Sequence, residues 1–180
     1  MSGQRTMEDM DGHEICGYRK KMLSMHATAY ITIKMQGKVM VVATVKQQSS
    51  LGLDSSADIY IHDPPMSYDT VTTKGLSVSI HVEGDIRSKK YDFMMDNFTR
   101  ASSKGGYMVR NPYKIAQVVR TSGSVGSDNN HYYIEIGPNV DFAFISMCAY
   151  AIDELFSDDW KYCQKTVRKT IKTTKKTESM

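Results

Sequence analysis

The residues in this chain whose type and spacing best suit chemistry are the cations at its C-terminal end. Lys161, Lys165, Arg168, Lys169, Lys172, Lys175 and Lys176 stand against Glu178, so residues 160–180 carry a balance of +6. Trp160, Cys163, Val167 and Ile171 fall at i, i+3, i+7 and i+11 and would share one face of a helix, with most of the cations on the others. That pattern outlines a basic helix lying at an interface. Near an anionic leaflet each Lys or Arg adds about 1 kcal/mol of attraction. The chemistry this implies is binding of anionic phospholipid or phosphoinositide head groups, with these seven cations as the lipid-binding residues. The same run also reads as a solvated, solubilising tail or as a nuclear-localisation arm. Beyond Tyr162 it has no aromatic residue on which bases could stack, which counts against nucleic acid.

No catalytic, metal or cofactor constellation accompanies it. His13, His26, His62, His81 and His131 never pair at ligand spacing, and His62 and His81 read as surface strand residues. Ser146 lacks a Gly-x-Ser-x-Gly elbow and reads as a core hydroxyl bonded to a carbonyl one turn back. Asp153, Glu154, Asp158 and Asp159 lack the loop spacing of a calcium site and read as a solvated helix end. The glycines of Ser122–Ser127 form neither a Walker nor a dinucleotide pattern. Cys16, Cys148 and Cys163 are odd in number and far apart, which fits a reducing compartment better than a disulfide framework.

The elements that must position any site are strands around one helix. Of 180 residues, 41% are hydrophobic and 24% charged, which suits one globular domain. Residues 1–17 carry Arg5 against Glu8, Asp9, Asp11 and Glu14, a balance of −3, and read as a disordered leader without an apolar signal core. Residues 18–159 are neutral overall and form the domain. Tyr30–Met35 and Val39–Lys46 alternate about Gln36-Gly37-Lys38 as a hairpin. Ala57–His62 is a short strand that Asp63-Pro64-Pro65 should stop. Leu76–Val82, a partner strand after a turn at Glu83-Gly84-Asp85, Lys114–Arg120 and His131–Ile136 complete an antiparallel set. The last element, 140–156, has no charged residue between Phe142 and Ile152, so as a helix it must be buried all round. Asn139 or Asp141 can cap it. The expected fold is therefore mainly β within α+β: an antiparallel, barrel-like sheet wrapped around one buried apolar helix. A sheet with the helix laid across one face satisfies the same pattern.

The entry Tyr133-Ile-Glu-Ile-Gly-Pro-Asn-Val-Asp-Phe-Ala-Phe-Ile145 and the exit Ala151-Ile-Asp-Glu-Leu155 resemble the C-terminal signature of the LURP-one-related family. Lys20–Thr28 and Leu76–Asp85 with Ser88–Tyr91 are similar to two further segments of it. The resemblance runs from about Tyr18 to Asp158 and implies the fold of the tubby C-terminal domain and the phospholipid scramblases, a closed antiparallel barrel threaded by its last helix. In the family, several strands precede the segment similar to Lys20–Thr28. Here seventeen polar residues precede Tyr18, so an incomplete barrel is expected. The resemblance implies a non-enzymatic domain binding phosphoinositides or membrane surfaces, linked in plant members to defence. A protein-interaction or nuclear regulatory module with a basic localisation tail is the second reading, and scramblase-like activity the third. The calcium-sensitive segment and acylated cysteine cluster of the scramblases have no match here. The expected location is cytoplasmic, at the inner membrane surface or nuclear.

The tail reading predicts that anionic liposomes sediment the full chain at low salt, less of it at high salt, and distinctly less of a chain ending at Asp159. Equal sedimentation of the two chains would remove the tail from the binding site.

Overall fold

The structure, a computed structural model, describes residues 4–21, 27–48, 56–100, 108–120 and 132–156. Nine strands occur among them: β1 (Gln4–Glu8), β2 (Glu14–Lys20), β3 (Thr28–Met35), β4 (Lys38–Gln47), β5 (Ala57–Ser67), β6 (Ile80–Asp85), β7 (Lys90–Arg100), β8 (Met108–Arg120) and β9 (Tyr132–Ile136). They form one antiparallel sheet in chain order. Helix α1 covers 142–156.

Alternation puts one face of each strand inward. Ala29 and Ile31 of β3, Ala43 and Val45 of β4, Ile59 of β5, Ile80 and Val82 of β6, and Phe93 of β7 join Ile145, Cys148, Ala149, Ile152 and Leu155 of α1 in one buried cluster. A flat sheet would offer the helix only one face. A single cluster drawn from β2 to β8 requires the sheet to curve about α1. The expected mainly β fold around an apolar C-terminal helix is what the structure contains, with the sheet open.

Eight successive antiparallel pairings leave β1 and β9 running in the same direction, and the two do not pair with each other in the sheet. A cavity of about 540 Å³ lies where they end, lined by Arg5, Thr6 and Met7 of β1, Tyr132 and Ile134 of β9, and Ser146, Met147 and Tyr150 of α1. The expectation of a helix buried all round is corrected here. Phe142 is 67% exposed, Ser146 and Tyr150 are half-buried, and Glu154 is exposed. These positions recur every four residues and form the one stripe of α1 that the sheet leaves uncovered.

The N-terminal segment also departs from expectation. Residues 4–8 and 14–17, expected within a disordered leader, are β1 and the start of β2. Their polarity misled because β1 is an edge strand held by backbone pairing, with Arg5, Thr6 and Glu8 exposed and Met7 alone half-buried. Asp9 builds the turn between them: its carboxylate accepts from Asp11 N at 2.9 Å and from His13 N at 2.8 Å.

Elsewhere local chemistry explains the turns. Gln36 (φ 49°) and Gly37 (φ 77°) connect β3 to β4 between the paired Met35 and Lys38, so the hairpin expected about Gln36-Gly37-Lys38 forms with a loop one residue shorter. Asp63-Pro64-Pro65 does not end β5. The strand continues to Ser67 through a register shift opposite Val41–Ala43, the kind of irregularity that accommodates residues without a ladder donor. β6 begins at Ile80, not Leu76, and Leu76 is 41% exposed. Gly84 lies within β6; its φ of 126° and the Lys90 carbonyl oxygen 2.6 Å from any added Cβ demand glycine. The turn itself is 86–89, fastened by Ser88 N donating to Asp85 at 3.0 Å.

Both ends of α1 are tied. Asp141, not Asn139, is the cap: its side chain accepts from Phe144 N at 2.9 Å, while Asn139 takes the left-handed φ of 61° that turns the chain into the helix. At the other end Lys89, from the β6–β7 turn, pairs with Asp153. Asp153 was expected to mark emergence into water. It is instead half-buried against a cation, and Leu155 and Phe156 beyond it are buried. The lysine offsets the unfavourable position of a carboxylate near a helix C-terminus.

Ile152 is fully buried at the centre of this cluster. Ile152→Ala should therefore cost about 2–5 kcal/mol, read as a lower urea midpoint at unchanged slope. A loss under about 1 kcal/mol would show that α1 is not enclosed by the sheet.

Candidate ligand-binding sites

Two recesses flank the β3–β4–β5 region, one on each face of the sheet. The outer one is polar. Thr28 pairs with Lys46 across β3 and β4, Tyr30 pairs with Thr44, and Lys21 N bonds to Thr28 O. The strand period of two therefore sets Lys21, Thr28, Tyr30, Thr44 and Lys46 side by side on one face. The segment after β5 folds over them. Tyr68 meets Tyr30 edge-on at 5.3 Å between ring centroids, and the Arg19 guanidinium lies 4.3 Å from the Tyr68 ring. Val71, Thr72 and Thr73 complete the wall. The recess holds about 180 Å³, and among the described residues no carboxylate lines it. Lys46 Nζ donates to Thr73 Oγ1 and lies 5.3 Å from the Tyr60 ring centroid. Two ammonium groups and a ring of hydroxyls can hold a phosphate-sized anion by charge and by donated hydrogen bonds.

The inner recess is apolar. It opens at the N-terminal end of α1 and holds about 460 Å³ among Ile15, Ile31, Ile33, Val42, Ala143 and Phe144, with Cys16, Ile61, His62, Asp63, Pro65 and Asp141 completing it. His62, expected on the surface of a strand, is only 4% exposed. The irregular stretch at Asp63-Pro64 breaks simple alternation, so Ile61 and His62 both reach this recess. His62 Nε2 lies 2.8 Å from Thr44 Oγ1. Its Nδ1 has no partner among the described residues. Burial depresses the imidazole's pKa below its ordinary value, which favours the neutral ring. Burial likewise pushes the Cys16 thiol up to about 11, with Asp141 and Glu14 adding to it, and its Sγ lies 3.8 Å from Ala143 O. Cys148 is fully buried in α1 and its pKa is raised by the same cause, as expected of a small core hydrophobe.

His81 is the other histidine with carboxylate neighbours. Its Nδ1 lies 2.9 Å from Asp58 and its Nε2 3.4 Å from Asp96, which ties β5, β6 and β7 together on the outer face. Asp9, Asp11 and His13 bring ligand atoms within 4.8 Å of one another, all exposed, at the β1–β2 turn. The Asp9 carboxylate is already engaged there, and the His13 backbone N–H holds its pKa below the ordinary value.

The LURP-one-related family profile matches residues 1–153. The chain belongs to the LURP-one-related family. The match takes in β1 and β2 and reaches Asp153 in α1. No curated protein and no solved structure matches the chain. No helix among the described residues is long and apolar enough to cross a membrane.

Of the residues the sequence singles out for binding, Lys161, Lys165, Arg168, Lys169, Lys172, Lys175 and Lys176 all lie outside the described residues. The structure adds Lys21, Lys46 and His62. A signal for the first recess was present: Thr28, Tyr30 and Thr32 alternate in β3, and Thr44 and Lys46 continue on β4. Read singly, these are ordinary outer-face strand residues, and only pairing through Thr28 and Lys46 brings the cations together.

Because the folded state holds His62 neutral, its contribution to stability is complete above the ordinary value of 6.5 and is lost as pH falls below it. The unfolded chain then takes up a proton that the folded ring resists. Between pH 7.5 and 5.5 the wild-type urea midpoint should fall more steeply than that of His62→Gln. Parallel slopes would show that His62 is protonated as readily folded as unfolded.

Proposed function

We propose that this LURP-one-related domain is a non-enzymatic binding module for anionic phospholipid head groups, with phosphoinositides as the class that best suits it. The observation that carries this reading is the pair Lys21 and Lys46 around a threonine-lined recess with no lining carboxylate among the described residues. A phosphate monoester bears up to two negative charges and several acceptor oxygens, which match two ammonium groups and neighbouring hydroxyls. The basic end of the chain supplies the second element. Seven cations within residues 160–180 would add long-range, salt-sensitive attraction to a leaflet, while the recess selects the head group. The setting this implies is the cytoplasmic face of a membrane, in signalling or defence. A second reading, a protein-interaction or nuclear module, draws on the outer edges of β1 and β9, which no other described strand pairs and which offer backbone donors and acceptors to an added strand.

In the chain ending at Asp159, Lys21→Glu/Lys46→Glu should weaken binding to phosphoinositide-containing liposomes by roughly thirtyfold or more at low salt, at about 1 kcal/mol per cation. The melt should stay near wild type, since Lys21 is exposed and Lys46 only half-buried. Unchanged sedimentation of a folded double variant would rule out the recess as the head-group site.

A further inference from the structure

We propose that the inner recess at the N-terminal end of α1 is a binding site for a small, uncharged, largely hydrocarbon molecule carrying one hydroxyl group, which His62 Nδ1 engages. This inference stands apart from the head-group reading, because the two recesses share no lining residue.

Size and lining set the ligand's body. A recess of about 460 Å³ walled mainly by aliphatic side chains and Phe144 falls within the range of small-molecule sites. Water needs two to four polar partners apiece, and this wall supplies few for its volume. Hydrocarbon is the occupant it favours.

The polar groups set the head. Asp63 and Asp141 line the recess and no lysine or arginine does. A carboxylate or phosphate would meet like charge without compensation, so the ligand is neutral. His62 is 4% exposed, and Thr44, which takes its Nε2, belongs to the opposite recess. Among the described residues Nδ1 is the ring nitrogen left without a partner, a state that buried polar groups rarely keep. If the Thr44 hydroxyl donates to Nε2, Nδ1 carries the proton and donates. If Thr44 accepts, Nδ1 accepts. A ligand hydroxyl can do either, so it suits both tautomers. The Cys16 thiol in the same wall is held protonated by burial.

The test uses the full chain and N-phenyl-1-naphthylamine, an uncharged aromatic probe with one N–H that brightens in apolar surroundings. Its fluorescence should saturate at one equivalent. Decan-1-ol should displace it at concentrations at least tenfold below those needed for decanoate. His62→Leu should weaken the decan-1-ol competition about tenfold, the usual scale for one buried hydrogen bond. Ala143→Trp should abolish probe binding by filling the recess. If that variant does not fold, Val42→Phe narrows the same recess and should weaken binding. Ser146→Trp, in the cavity between β1 and β9, should leave probe binding intact. The proposal is overturned by absence of saturable binding in the folded chain, by decanoate competing as well as decan-1-ol, by an unchanged decan-1-ol competition in His62→Leu, or by binding that survives Ala143→Trp and disappears in Ser146→Trp.

Discussion

Helix α1 carries apolar side chains on nearly every side, and the molecule is built around covering them. Ile145, Met147, Cys148, Ala149, Ala151, Ile152, Leu155 and Phe156 are all buried, and at about 100° per residue they spread over roughly 200° of the helix circumference. One flat layer would leave the margins of that arc in water. Bringing inward residues from β2 through β8 against the same helix removes that surface, and curvature of the sheet follows from it. The wrap stops at β1 and β9, which run in the same direction and do not pair with each other in the nine-stranded sheet. The stripe Phe142, Ser146, Tyr150 and Glu154 is the side of α1 that the described strands cover least.

The same enclosure fixes how the helix sits. Tyr18 of β2 meets Tyr150 edge-on at 5.5 Å, Cys16 reaches the Ala143 carbonyl, Asp141 caps the first turn, and Lys89 pairs with Asp153 near the last. These contacts lie along the whole length of α1 and involve strands far apart in sequence. A slide of α1 along its axis would break the three contacts to the sheet, those of Tyr150, Ala143 and Asp153, together. Burial lowers the Lys89 pKa, with Glu154 opposing it, so that pairing carries a desolvation cost. Its value lies more in position than in net stability.

How far the sequence foretold this varied with the origin of each signal. The charge-free run from Phe142 to Ile152 and the alternation of Tyr30–Met35 and Val39–Lys46 are strong because burial acts directly on composition. They predicted the helix, the hairpin and the mainly β class, and the Pro-Asn-Val-Asp entry pointed to the LURP-one-related family. β1 was illegible because an edge strand held by backbone bonds leaves little mark on side chains. Asp63-Pro64-Pro65 read as a stop because proline usually ends pairing, whereas a register shift carried β5 through it. His62 read as exposed because alternation was assumed to hold up to the prolines. The binding recesses were the least legible part. Lys21 and Lys46 are separated by a whole hairpin, and no local pattern states that Thr28 will lie between them.

The Thr44–His62 hydrogen bond sits at the boundary between these two recesses, and it sorts their chemistry. Thr44 belongs to the polar side, where Lys21 and Lys46 stand near water and can meet an anion. His62 belongs to the apolar side, where burial favours its neutral form and raises the pKa of the neighbouring Cys16 thiol. Tyr91, deeper in the core, is pushed far above its ordinary value by the same desolvation. His62, Cys16 and Tyr91 are thus each shifted towards their neutral form, while Lys21 and Lys46 stand on the outer face. The sheet sets charge on one face and hydrocarbon on the other, and the Thr44–His62 hydrogen bond joins the two.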